Sequence, residues 1–161
     1  ILNGSGYFSS AIKTSFDMLG AITNTENYSF EYNAEGNMTK QTTNNSSGTR
    51  ILSLTYSGGN SVSGVLYKGV ILDKKYIFYH NTVENKTGVD DLTGVFNPYF
   101  GTASSLLLDS IRIISPATSD TVRIQYAHTL DNNGYISKTI QTWLSGGVPT
   151  KYHTYQYFDC R

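Results

Sequence analysis

Three histidines, one tryptophan, thirteen tyrosines and twelve acids are the residues with which this chain could do chemistry. His80, His128 and His153 stand far apart, and no two of them share the close spacing with a carboxylate that a zinc site uses. Asp90 and Asp91 with Glu84 lack the regular Asp-x-Asp-x-Asp-Gly spacing of a calcium loop and read as a solvated acidic turn. Glycoside hydrolysis needs two carboxyl groups facing one cleft, but most of the acids fall in turn sequences and no pair stands out. No Gly-x-Ser-x-Gly elbow is present for acyl transfer. Gly-x-x-[Ser/Thr]-Lys recurs from Gly36, Gly134 and Gly147, but each copy leads into a strand pattern, not into the helix N-terminus that holds a phosphate. Cys160 is the single thiol, so no disulfide can form within the chain. The expectation is a protein without catalytic residues, cofactor or metal.

The aromatic residues are the remaining candidates. A ring face stacks on flat ligands and sugars while a Tyr hydroxyl or Trp N–H makes polar contacts. Tyr126, His128, Trp143 and Tyr135, with Phe96 and Tyr99 from the middle of the chain, form the expected ligand-binding set. The competing reading is that alternating aromatics on strands simply pack across the sheet. Strict alternation puts Ile136, Lys138 and Ile140 on one face, and Tyr135, Ser137, Thr139, Gln141 and Trp143 on the other. If the Ile face is the core, Trp143 and Tyr135 stand together on the opposite surface.

The elements that must position these residues are strands. Apolar and polar residues alternate with period two through Tyr28, Phe30 and Tyr32, through Leu52, Leu54 and Tyr56, and through Val122, Ile124, Tyr126, His128 and Leu130. Tyr, Thr, Val and Ile suit a pleated surface, whereas the helix formers Ala and Glu number only six and four. The segment from Tyr28 to Lys40 aligns without a gap on that from Tyr126 to Lys138, and Leu2 to Ser9 lies over Leu130 to Ser137. In each copy Asn or Asp opens a turn by bonding its own backbone, Gly supplies positive φ, and an apolar residue re-enters the core. Tyr56 to Val62 and Gly147 to Lys151 are weaker echoes. Asn44 to Gly48 reads as a loop. Because the first copy opens inside its own turn, a strand is expected upstream of Ile1.

The fold expected is all-β: a single, strongly curved antiparallel meander, half-barrel or porin-like, of about eight to ten strands. Pro98 and Gly101 interrupt the alternation, so residues 89–107 are expected to form a short helical or irregular plug, with Phe96, Tyr99, Phe100 and Leu106 filling the open side of the sheet.

A length of 161 residues suits one domain spanning 1–161. Charged residues make up 15% of the chain, against roughly 25% in ordinary globular domains. Eighteen Ser, 19 Thr and 13 Asn take their place. Twelve basic and twelve acidic residues cancel, which argues against nucleic acid or anionic membrane as a partner, since both select a concentrated basic field. No apolar run approaches the roughly 18 residues of a membrane-spanning helix.

Tyr32-Asn33-Ala34-Glu35-Gly36-Asn37-Met38 resembles the Tyr-Asp-x-x-Gly-x-Leu element of YD-type repeats, whose toxin-enclosing shells are far longer than this chain. Over nearly its whole length the chain is similar to a domain-of-unknown-function family of secreted lipoproteins from Gram-negative gut anaerobes, described as porin-like β proteins. Those proteins also carry degenerate Tyr–Gly hairpin units, a mid-chain segment like Phe96-Asn97-Pro98 and a late copy like Leu130 to Lys138. The resemblance implies export to the outer membrane or cell surface and a lipid anchor upstream of Ile1. It brings no catalytic residues. Asp109-Ser110-Ile111 and Asp120-Thr121-Val122 resemble the O-glycosylation acceptors of such anaerobes. Two functions stay open: a structural or interaction domain meeting a surface protein partner, or a binding module holding a glycan or an apolar small molecule on the inner sheet face.

Overall fold

The computed structural model describes residues 1–87 and 102–157. Among these there is no helix. Ten strands follow one another: β1 (Ser10–Phe16), β2 (Ile22–Tyr32), β3 (Met38–Asn45), β4 (Gly48–Ser57), β5 (Asn60–Lys68), β6 (Ile71–Glu84), β7 (Leu106–Ser115), β8 (Asp120–Leu130), β9 (Ile136–Ser145) and β10 (Val148–Gln156). They form one antiparallel sheet in which sequence order is spatial order. The sheet is a meander and does not close: β1 pairs only with β2, and β10 only with β9.

One face of this sheet is the core. Phe30, Leu54, Phe78, Ile111, Ile124 and Tyr126 are buried together, with Met38 and Leu108, and Tyr28, Tyr32, Tyr56, Tyr76 and Trp143 pack around them. The register shows why. Leu54, Gly64, Tyr76, Ile113 and Val122 lie side by side across β4 to β8, and Phe78, Ile111, Ile124 and Trp143 form the next row. Gly64 is the gap in its row, where an added Cβ would stand 2.8 Å from a Leu54 methyl. The opposite face is mixed, with Glu31, Lys75, Arg112, Arg123 and Gln125 all exposed.

Four turns use one set of bonds. In Asn33–Asn37 the Asn33 Oδ1 accepts the N–H groups of Glu35 (3.1 Å) and Asn37 (2.9 Å), while Asn33 N–H donates to the Asn37 carbonyl and Gly36 N–H to that of Asn33. Asn3–Tyr7, Asp17–Ala21 and Asp131–Tyr135 repeat the pattern atom for atom. The Asp17 turn joins β1 to β2 and was not foreseen from the sequence. Gly6, Gly20, Gly36 and Gly134 occupy the same left-handed position, with φ of 82–83°. The weaker echoes differ: Gly58-Gly59 and Gly146-Gly147 form two-residue hairpin turns with positive φ at both positions, as type I′ geometry requires. The Asn44 to Gly48 loop shrinks to Ser46 and Ser47, because Asn45 already pairs with Gly48.

A bulge follows three of the hairpins at one end of the sheet. Thr39, Val62 and Ser137 are skipped in the pairing. The Thr39 and Ser137 hydroxyls turn back to the carbonyls of Glu31 and Thr129. Each skipped residue reverses the parity of the strand beyond it.

Most of the expected plug, including Phe96, Tyr99 and Phe100, lies outside the described residues. Its boundary needs correction, since Leu106 and Leu107 already belong to β7 and Leu107 is buried against Ile136. The flanking residues are firmly held. Thr102 N–H donates to the Gly36 carbonyl, the buried Asn37 Nδ2 to the Thr102 carbonyl, and Ser105 N–H to the Gly59 carbonyl. On the other flank, Thr87 Oγ1 accepts the N–H of Ile136 at 2.7 Å. Cys160 also lies outside the described residues.

Gly20 and Gly36 share a conformation but not surroundings. A Cβ at Gly20 meets nothing, whereas one at Gly36 stands 2.8 Å from both Thr102 Oγ1 and Tyr7 Oη. Gly20→Ala should cost only the left-handed penalty of about 1–2 kcal/mol. Gly36→Ala should add about 1–3 kcal/mol of overpacking. Urea unfolding of the two variants gives the difference directly.

Candidate functional site

Of the expected ligand-binding set, Tyr126, His128 and Trp143 come together on the core face of β8 and β9. The Tyr126 and His128 rings stack with centroids 6.2 Å apart, and Trp143 lies in register with Ile124 one row away. Tyr135 does not join them. It is 44% exposed at the end of the Asp131 turn, and its backbone is held by Asp131 Oδ1. The pairing of Tyr135 with Trp143 on one surface fails because of the Ser137 bulge. Alternation counted from Ile136 makes Lys138 and Ile140 core residues; after the bulge Thr139, Gln141 and Trp143 face the core instead, and Thr139 and Gln141 are buried. Phe96 and Tyr99 lie outside the described residues.

His128 is fully used by the fold. Its Nε2 lies 2.8 Å from the Leu108 carbonyl and its Nδ1 2.9 Å from Thr139 Oγ1. A carbonyl only accepts, so Nε2 carries the proton, and in the neutral ring Nδ1 accepts from the Thr139 hydroxyl. The histidine therefore ties β7, β8 and β9 together and has no free nitrogen to offer a ligand.

The patch continues onto β10 through residues the sequence reading did not single out as a site. Gln141 pairs with His153, Thr139 with Tyr155, and Trp143 with Lys151. His153 and Tyr155 stack at 6.3 Å, and the Lys151 ammonium stands 5.8 Å over the Trp143 ring. Among the described residues two buried side-chain nitrogens have no hydrogen-bond partner, Trp143 Nε1 and His153 Nε2. The alternation Lys151, His153, Tyr155 was the available signal, and the parity change at Ser137 hid its connection to Trp143.

A second region lies at the end of the sheet carrying the Asn33 turn. Tyr7 and Tyr32 meet there with ring centroids 5.2 Å apart, and Tyr32 Oη donates to the Phe8 carbonyl at 2.8 Å. They border a cleft of about 570 Å³ between the Asn3 and Asn33 turns, which Glu31 and Glu35 also line. At the other end, a more open groove of about 440 Å³ is lined by Ile22, Thr25, Asn27, Asn44 and Asn45 among others. Beside it, Tyr28 Oη donates to Glu26 at 2.6 Å. That bond, helped by Asn45 and Lys13, holds the Glu26 carboxyl below its usual range. The Tyr28 phenol is pushed up to about 12 by burial first and then by Glu26. Tyr32 is pushed up to about 12 by burial and then by Tyr7.

Of the two glycosylation-like sequences, Ser110 is fully buried and its Oγ receives Arg123, so it offers no acceptor in the folded chain. Thr121, next to the β7–β8 turn, is partly exposed. Among the described residues no three His, Cys, Asp or Glu converge as metal ligands.

No protein-family model and no curated protein matches this chain. Among solved structures, it is similar to a porin-like protein from Bacteroides uniformis, with a TM-score of 0.64 and 19% identity over 95% of this chain. The chain spans 64% of the length of that structure. The likeness is one of fold.

Two outcomes test this geometry. His128→Phe keeps a ring but leaves the Leu108 carbonyl and the Thr139 hydroxyl without their partner, so it should cost about 1–3 kcal/mol in denaturant unfolding. The phenols set an alkaline limit. A phenol whose pKa is raised on folding contributes stability in full below its unfolded value of 10.0 and loses it as pH climbs through about 12. Unfolding and phenolate absorbance should therefore rise together across that window, and Tyr28→Phe with Tyr32→Phe should weaken the dependence.

Proposed function

We propose that this chain is an exported, water-facing domain of a Gram-negative bacterial surface or periplasmic lipoprotein, serving a structural or interaction role and not catalysis. The observation that carries this reading is the face opposite the core. Lys75, Arg112, Arg123 and Gln125 are exposed within β6 to β8, where strands facing lipid need an apolar band. The sheet is also open, with β1 and β10 at its two ends and no described strand joining them. Contact with a membrane would then run only through a lipid anchor outside these 161 residues. The core face is occupied by the chain's own side chains, which leaves the charged opposite face, the edges and the turns as the surfaces for a partner. Zero net charge weighs against nucleic acid. The fold likeness to a porin-like bacterial protein is consistent with an envelope location.

Cell fractionation and surface proteolysis of the complete protein in its native host test the reading. Detergent-releasable, protease-accessible protein is expected, and recovery in the cytosol would overturn it. The purified chain should stay monodisperse without detergent and give no conductance in a planar bilayer. Stepwise conductance would mean a lipid-spanning form instead.

One observation favours a second reading, a module holding a glycan or apolar ligand on the core face: the unpartnered nitrogens of Trp143 and His153. Trp143 is the sole tryptophan, so its emission reports directly on that patch.

A further inference from the structure

We propose that the cleft between the Asn3 and Asn33 turns binds a short neutral saccharide. The site differs from the core-face patch and holds whichever location the domain has. Its volume of about 570 Å³ falls within the roughly 300–1,000 Å³ of small-molecule sites, enough for one or two sugar rings.

The lining gives the chemistry. Tyr7 and Tyr32 are both half-buried and lean on each other at 5.2 Å, each keeping part of its surface on the cleft. The bond from Tyr32 Oη to the Phe8 carbonyl holds that ring in place. Aromatic faces stack on the C–H surface of a sugar, and the rim must then meet its hydroxyls. Two carboxylates stand on this rim. Glu31 uses Oε1 on Lys40 at 2.7 Å, and its second oxygen remains an acceptor. Glu35 receives only a long contact, 3.3 Å from Asn33 Nδ2. Both can accept charge-assisted bonds from hydroxyl groups. Asn3 spends its Oδ1 on its own turn, and its Nδ2 supplies a donor. The set therefore offers acceptors, a donor and stacking surface together.

The alternatives fit less well. An anion would face two carboxylates. A metal ion would need more ligands than Glu31, already paired with Lys40, and Glu35 provide. An apolar ligand would leave the Glu and Asn groups at the rim desolvated without partners. The open groove at the other end has Asn and Thr side chains but no aromatic ring in its lining, so it lacks the stacking half of the recognition.

The experiment is amide-detected NMR of the purified chain titrated with cellobiose, maltose, lactose and mannobiose, with Trp143 emission recorded in parallel. Shifts at Tyr7, Asn33 and Glu35 with at least one disaccharide, and steady Trp143 emission, are expected. Glu35→Gln, and Glu31→Gln with it, should weaken binding by about fivefold or more at an unchanged melting temperature, and digalacturonate should bind more weakly than the neutral sugars. Three results would overturn the proposal: no shift with any of the four, shifts confined to β8–β10 with altered Trp143 emission, or unchanged affinity in well-folded Glu35→Gln protein. The second of these would support the core-face reading while removing this one.

Discussion

Among the described residues a single sheet has no second layer to press against, and that constraint shapes the rest of its architecture. Sandwiches and helix-backed sheets bury an apolar face beneath another element. Here every substantial contact between strands is between neighbours in the meander, so the core face must cover itself with its own side chains. Large rings do this best. Tyr28, Phe30, Tyr32, Tyr56, Tyr76, Phe78, Tyr126 and Trp143 spread along the rows, each covering its neighbours across the sheet. The same constraint admits polar residues to the interior where they bond in pairs: His128 with Thr139, and Tyr155 with Gln141.

At one end of the sheet, residues outside the strands are anchored onto the turns. Thr102 is tied to the Asn33 turn, Ser104 and Ser105 to the Gly58 turn, and Thr87 to the start of β9. Asn37 marks the specialisation. Its counterparts in the other Asn or Asp turns are Tyr7, Ala21 and Tyr135, but it alone is buried with its amide spent on Thr102. One turn geometry thus serves as an exposed corner at Asp17 and as a docking point at Asn33.

The fold was largely legible in the sequence because the strands alternate cleanly and the turns use residues with a definite mechanism. The all-β class, the open meander and the hairpins at Asn33 and Asp131 follow from Tyr, Asn and Gly at fixed offsets. What was not legible came from single residues that break a period. The bulge at Ser137 hides in the recurring Gly-x-x-[Ser/Thr]-Lys sequence, whose Ser or Thr is the skipped residue at Thr39, Ser137 and Thr150. It moves Trp143 from one face to the other and thereby joins it to Lys151 and His153. The Asp17 turn carries the same marks, Phe16 in the position of Tyr32 and Gly20 in that of Gly36, but apolar Met18 and Leu19 fill the places that turn residues take in the other copies. The Tyr7–Tyr32 cleft depends on two turns being neighbours in space, which only the pairing of β1 with β2 creates.

The meander order also has a kinetic meaning. Every neighbouring pair except β6 and β7, which residues 85–105 separate, is joined across a few residues. The loop-closure entropy of those steps is therefore small, and assembly can proceed as a zipper from any of those hairpins. The bonds between Thr102 and the Asn33 turn break that rule, since Asn37 and Thr102 lie 65 residues apart. Together with the bonds of Ser104 and Ser105 to the Gly58 turn and of Ile136 N–H to Thr87, their closure makes distant hairpins depend on each other. Amide exchange should divide accordingly. The edge strands β1 and β10 would open first, while β2 to β9, tied by the Thr102, Ser105 and Thr87 bonds, would open as a single cooperative block.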